Sequence, residues 1–298
     1  MNSSAVTPLS GAGRVWSHYS VPFLLLSPLL VFLLIFYVTP FINLFQESFR
    51  YSALDGKADD GMTLYQYTKT WTSNRIGRVM ERTFRMSLLT VFITLVLSYP
   101  IALLLTRMRS ALRTTVLLVI FISLASSLIV RNYGWVVVLA DKGFINVLMM
   151  GLGLTAEPVR LMFTEAAIVT ALVHFSIPFM VLPIYGSLLR QPASLKEASL
   201  SLGGGPWSTF RKITLPLSLP GVFGGTVLTF ALSMSAYVTP LMLGSPSSSM
   251  ISQVAAEQLL VQLNFQYGAA IIVTLTVLTF LIVSVYGSVL RRVFRADI

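Results

Sequence analysis

The chain has 298 residues, of which 55% are hydrophobic and only 11% charged, with a mean hydropathy of +0.79; soluble domains carry about one quarter charged residues, so a disordered chain and a water-soluble globule are both excluded. Lys and Arg outnumber Asp and Glu by 21 to 11, and in so apolar a chain the excess fits loops facing an anionic leaflet, not nucleic acid. With no cysteine and only His18 and His174, disulfides, thiolate chemistry and clustered Cys or His metal sites are excluded as well.

Residues 1–20, rich in Ser, Gly and Ala, read as a mobile tail on the cytoplasmic side, ahead of a membrane domain over 21–298. A spanning helix needs about 20 apolar residues. Uncharged stretches of that length predict spans at 21–42 and 86–106, and a third from Thr114 past Arg131 to Ala140. A fourth covers Ala166 to Leu189 and is broken by His174, Pro178 and Pro183. The stretch Ile213–Ala256 is uncharged for 44 residues, twice what one crossing needs. Pro240, Gly244 and the serines of 245–249 must interrupt it. Met250–Asn264, with Gln253, Glu257, Gln258 and Gln262, reads as a short amphipathic helix on the outer surface, and 268–290 as the last span. The fold class is therefore all-α and membrane-integral, with six spans.

Six spans leave both termini on one side. The arginines of the tail and the basic loops 107–113 and 190–212 share that side, which the Lys/Arg bias marks as cytoplasmic. Residues 43–85 carry seven basic residues and fall outside, but long loops cross largely regardless of charge.

The chain has no P-loop and no G-x-S-x-G nucleophile elbow, and its carboxylates lie in loops or at span ends. No catalytic residues are assigned and no metal site is expected. Gly221-x-x-x-Gly225 predicts close helix packing.

The loop after the fourth span has its own pattern. Ser194-Leu195-Lys196-Glu197 forms an S-x-x-E capping box for a short helix with Leu195, Ala198 and Leu202 on one face, ended by Gly203–Pro206. Glu197-Ala198-Ser199-x3-Gly203, nine residues, then Ile213-x-Leu215-Pro216, closely resembles the E-A-A-x3-G-x9-I-x-L-P signature of permease subunits of binding-protein-dependent ATP-binding cassette importers. Ser199 stands where the second alanine would be. The resemblance implies a type I importer permease core over 84–290, with a coupling helix within 194–205 that docks on an ATPase through Glu197, Ala198, Ser199, Leu202 and Gly203. Glu197 thus reads both as a helix cap and as an ATPase contact.

Val130-Arg131-Asn132-Tyr133-Gly134-Trp135, followed by Gly143-Phe144-Ile145-Asn146, resembles a run found in spermidine/putrescine-type permeases, as do Pro178–Tyr185 and Tyr237–Leu241. The likeness is weakest over residues 1–80. Pathway candidates are Arg131, Tyr133, Trp135, His174, Ser235 and Tyr237. Each has a plainer reading: Arg131 as a snorkelling side chain near the outer interface, Tyr133 and Trp135 as an aromatic belt, and His174, placed near mid-bilayer, as half of a helix–helix hydrogen bond.

The resulting expectation is an inner-membrane permease subunit translocating a small polar solute, polyamine-like or amino-acid-derived. The implied partners are a second, different permease subunit, two cytoplasmic ATPase subunits that hold ATP and Mg, and a periplasmic solute-binding protein. An ion-coupled secondary transporter would want inverted repeats and mid-membrane carboxylates, and a membrane enzyme would want a catalytic constellation; the sequence offers none of these.

Overall fold

The computed structural model describes residues 25–56 and 61–295. The expectations for residues 1–20 and for the first four residues of the first span lie outside that range. Helix α1 covers Leu25–Glu47, and its turn at Leu34–Val38 widens to i→i+5 bonding just before Pro40, which has no N–H to give. Then follow α2 (Tyr65–Thr72), α3 (Asn74–Arg107), α4 (Ser110–Ala125), α5 (Leu128–Leu139), α6 (Phe144–Gly151), α7 (Glu165–Leu189), α8 (Ala193–Ser201), α9 (Pro206–Met234), α10 (Val238–Leu243), α11 (Ile251–Ala256) and α12 (Phe265–Arg295). Among the described residues there is no strand, and six helical stretches are long and apolar enough to cross a membrane, the third of them Leu128–Gly151, made of α5 and α6 together.

α7 is the centre of the bundle, with Ile168, Leu172, Met180 and Ile184 fully buried against α3, α4 and α9. It runs unbroken through His174, Pro178 and Pro183, contrary to the sequence expectation. Each proline deletes only one backbone bond, and the helices packed around α7 hold the rest. α9 crosses it closely: a Cβ on Gly221 would sit 2.5 Å from Pro183 O, and one on Gly225 would sit 2.7 Å from Met180 Sδ. The small-residue pair thus forms the contact itself.

The 34 residues of α3 extend about 51 Å, well beyond one bilayer. Its inner face reads Thr83, Ser87, Thr90, Thr94, Ser98, all with zero exposure, while Leu88, Leu89, Phe92, Val96 and Leu97 face outward. In lipid, apolar side chains gain nothing by turning inward, and small hydroxyl residues let helices approach. Thr83 and Thr90 donate to their own helix at Val79 O (2.8 Å) and Met86 O (2.9 Å).

The third crossing differs from expectation. Ser126 and Ser127 take extended backbone angles and split it into α4 and α5. At 16 residues, or about 24 Å, α4 by itself falls short of the hydrocarbon thickness. The chain then turns at Ala140–Gly143, where Asn146 organises the loop by donating to Ala140 O and Val159 O and accepting from Val159 N–H at 2.8 Å.

The long uncharged stretch also breaks earlier than predicted. α9 stops at Met234, and Pro240 fits within the first turn of α10, where a proline costs no helical bond. The helix predicted within 250–264 is present as α11, with one face packed on the bundle: Ile251, Val254 and Ala255 are buried with Tyr267 and Ile271 of α12 and Val79 of α3, Met250 is buried with Met86 and Leu243, and Leu260 and Val261 beyond α11 are exposed. Its entry is tied to α3, because Thr83 Oγ1 accepts Ile251 N–H at 2.9 Å and Arg82 Nη1 donates to Ser249 O at 3.3 Å.

Among the described residues of 43–85, Arg50, Lys69, Arg75, Arg82 and Arg85 have carboxylate partners. Arg85 Nη2 meets both oxygens of Glu165 at 2.9 and 2.6 Å, Arg82 Nε lies 3.3 Å from Glu165, Lys69 meets Asp55 at 2.6 Å, and Arg50 meets Glu47 at 2.9 Å. The loop therefore presents much less net charge than its lysine and arginine count suggests.

Candidate functional site

Two regions hold the predicted residues. The first lies where the two-piece third crossing meets α7. Arg131, on the first turn of α5, reaches back over the break and donates from Nη2 to Ser126 O at 3.1 Å, satisfying a carbonyl at the end of α4. Its guanidinium carbon stands 5.0 Å from the Phe175 ring centre, an attractive cation–π geometry. Its Nε and Nη1 are buried and have no hydrogen-bond partner among the described residues. Arg131 thus lies against Phe175, the neighbour of His174.

One turn on, Trp135 donates its indole N–H to His174 Nδ1 at 3.2 Å, with the rings edge-to-face at 5.8 Å. That bond leaves the other imidazole nitrogen carrying the proton. Between Arg131 and Trp135 lies a residue the sequence reading passed over. Asn132 is 2% exposed and accepts from Thr239 Oγ1 at 3.3 Å, joining α5 to α10. An amide in an otherwise apolar run was the signal available for it.

The remaining pathway candidates are dispersed. Tyr133, next to Asn132 on α5, is 62% exposed. Ser235 is the exposed cap of α9 and bonds back to Ala231 O at 3.0 Å, and Tyr237 lies beyond that helix end. The neighbouring Ala236 O accepts from Ser252 and so anchors α11.

The second region is the loop at the other end of α7. α8 starts at Ala193, one residue earlier than predicted, with Pro192 as its cap and no side-chain capping bond. Ser194 is thus inside the helix and the Ser194–Glu197 capping box does not form, because the extended backbone of Pro192 (ψ 130°) already starts the turn. The far end closes as expected of glycine. Gly203 has φ +79°, its N–H reaches Leu200 O at 3.0 Å, and Gly204 N–H reaches Ser199 O at 2.8 Å, the paired bonds of a Schellman motif. Glu197 and Ala198 are exposed, and so are Leu195 at 41% and Leu202 at 88%. Trp207, stacked on Phe210 at 5.4 Å, is also exposed. An apolar face left open on a polar end of the molecule is a contact surface.

Residues 73–295, three quarters of the chain, match the family model described as binding-protein-dependent transport system inner membrane component. The chain belongs to this family. It is 31% identical over 208 residues to the spermidine/putrescine transport system permease protein PotB of Escherichia coli (strain K12), covering 70% of this chain and 76% of that protein. PotB of Haemophilus influenzae is 28% identical over 225 residues, covering 76% and 78% of the two chains. A chain of a bacterial ABC transporter that imports the acidic polysaccharide alginate superposes with a TM-score of 0.76 at 18% identity, over 94% of this chain and 99% of that one, so the fold is that of an importer permease.

The family assignment makes this chain a permease subunit of an ABC importer, a multi-pass protein of the inner membrane. The family match starts at residue 73, at the entry to α3, and leaves out α1, none of whose apolar stretch is buried. Among the described residues no three His, Asp or Glu side chains gather around a common point where a metal could sit.

Proposed function

We propose that α8 is the coupling helix, entering a cleft on an ATPase subunit through Glu197, Ala198, Ser199, Leu202 and Gly203. The observation that carries this is an apolar helix face, closed by a Schellman turn, that no other described residue covers. ATP and Mg are held by two such ATPase subunits, and this chain contributes no nucleotide site. A second, different permease subunit completes the membrane body, and a periplasmic binding protein delivers the solute to the end where α7 begins. Both termini and α8 are cytoplasmic. The permease domain begins at residue 21, with its core over 84–290.

The solute is a polyamine-like cation in this reading, supported by the names of the PotB relatives. The aromatic faces of Trp135, Tyr133 and Tyr237 suit ammonium groups. One observation favours a second reading, a carboxylate-bearing amino-acid derivative: two guanidinium donors of Arg131 are buried without partners.

A cysteine at Leu202, in a chain that has none, tests the docking. Maleimide should label Leu202→Cys in the free permease and be excluded once the ATPase is bound. Equal labelling in both states rejects α8 as the docking element. Titrating the cognate binding protein with spermidine and with amino-acid derivatives separates the two solute classes.

A further inference from the structure

The link from α8 to the fifth span is Gly203-Gly204-Gly205. Glycine changes its backbone angles at little cost, so three in a row form a hinge that absorbs a push instead of passing it on. A displacement of α8 would be lost there unless something bridged the gap.

One residue holds it from within and also spans it. Ser199 O accepts the N–H of Gly204 at 2.8 Å, and Ser199 Oγ lies 2.8 Å from Thr209 Oγ1 in the first turn of α9. Thr209 is 8% exposed, and its own N–H is fixed to Gly205 O at 3.0 Å. The backbone of Gly204 is pressed against Ser199 so closely that a Cβ there would come within 2.6 Å of the Ser199 hydroxyl. Beyond Thr209 the helix continues through a widened turn at Phe210–Thr214 and on to Met234. At that widened turn Gln191 Nε2, from the segment just past α7, donates to Thr214 O at 3.0 Å. The hinge is thus spanned on one side by the hydroxyl pair and braced on the other against the end of α7.

We propose that the Ser199–Thr209 hydroxyl pair is a strut that makes α8 and α9 move as one body, so that displacement of α8 by the ATPase reaches the fifth span. This rests on the docking reading of α8. The alanine of the signature that this loop resembles could not form the bond, so Ser199 is a positioning residue particular to this sequence, acting through Thr209 and touching no solute.

The test follows movement directly and needs no knowledge of the solute. In the complete complex with its ATPase and permease partner, a single cysteine at Ser235, the exposed cap of α9, reports the far end of the span through its maleimide labelling rate with and without a non-hydrolysable ATP analogue. Thr209→Val should reduce the nucleotide-dependent change in labelling several-fold while complex yield and ATP hydrolysis persist, and Ser199→Ala should reduce that change equally per assembled complex. The double variant should be no worse than either single one, because both remove the same bond. Thr209→Ser, which keeps the hydroxyl, should respond like the parent. An undiminished response in both single variants, additive losses in the double variant, or a parallel fall in the complex yield of Thr209→Val overturns the strut. A parent complex whose labelling ignores nucleotide, or a Leu202→Cys that stays accessible with ATPase bound, overturns the docking reading and the strut with it.

Discussion

Trp135 and His174 are joined by a 3.2 Å hydrogen bond between two different crossings, the indole N–H donating to Nδ1. It is the polar fastening between α5 and α7 closest to Arg131, and it gives His174 a partner within the bundle. Intramembrane hydrogen bonds contribute on average about 0.6 kcal/mol, and at most about 1.7. His174→Phe and Trp135→Phe should therefore each lower the thermal stability of the assembled complex by a comparable, small amount, and the double variant should lose less than the sum. Additive losses would show that the two side chains act separately. Uptake per assembled complex, measured in liposomes, then shows whether His174 also meets the solute.

Gly203 occupies a left-handed conformation that costs an ordinary L-residue roughly 1–2 kcal/mol. Gly203→Val should leave the permease inserted at normal levels but reduce the amount of ATPase that co-purifies with it. Glu197→Lys, on the exposed face of the same helix, should weaken the same association without straining the turn. Full ATPase recovery in both variants would separate this loop from docking.

The two ends of the bundle should lie on opposite sides of the membrane. Leu54, 66% exposed in the first loop, and Gly205, where an added side chain meets nothing within 4 Å, are suitable cysteine positions. In intact spheroplasts an impermeant maleimide should modify Leu54→Cys and spare Gly205→Cys; the reverse pattern would invert the topology. Gly204 is unsuitable, since any side chain there collides with Ser199.

Enlarging the α7–α9 contact should be severe. At Gly221 even a Cβ is 2.6 Å from Ser187 Cβ, between rigid helix backbones. Overpacking of this kind costs about 1–3 kcal/mol per site, so Gly221→Leu should sharply lower the yield of folded protein and Gly224→Ala, where the nearest atom is 3.8 Å away, should not. Equal yields would mean that the helices separate freely here.

The run of charge-free residues made the number of crossings legible, because the bilayer sets a minimum length that sequence can display directly. The helix breaks were less so. Pro178 and Pro183 were read as interruptions, yet α7 runs straight through, while Ser126 and Ser127, with no strong breaker chemistry, split the third crossing. Tertiary packing decides such cases. The spacing from Glu197 to Pro216 was legible as a loop of special geometry, and Gly203 turns as it foretold, but the cap moved from Ser194 to Pro192 because φ of proline is preset. Asn132, Glu165 with its two arginines, and the Ser199–Thr209 pair depend on residues far apart in sequence or across a fold-back, and periodicity carries no information about those.

The buried serine and threonine ladder of α3 has a consequence for how this protein tolerates sequence change. Its crossings are sorted by side-chain volume, since hydrocarbon surrounds the bundle and polarity does not distinguish inside from outside in the usual sense. A swap that keeps shape, such as Thr94→Val, exchanges a hydroxyl with no partner for a methyl group and leaves the spacing of α3 and α7 intact. A swap that keeps polarity but adds bulk, such as Ser87→Gln, drives the same helices apart. Drift within this bundle is therefore expected to wander widely in chemistry and hardly at all in size.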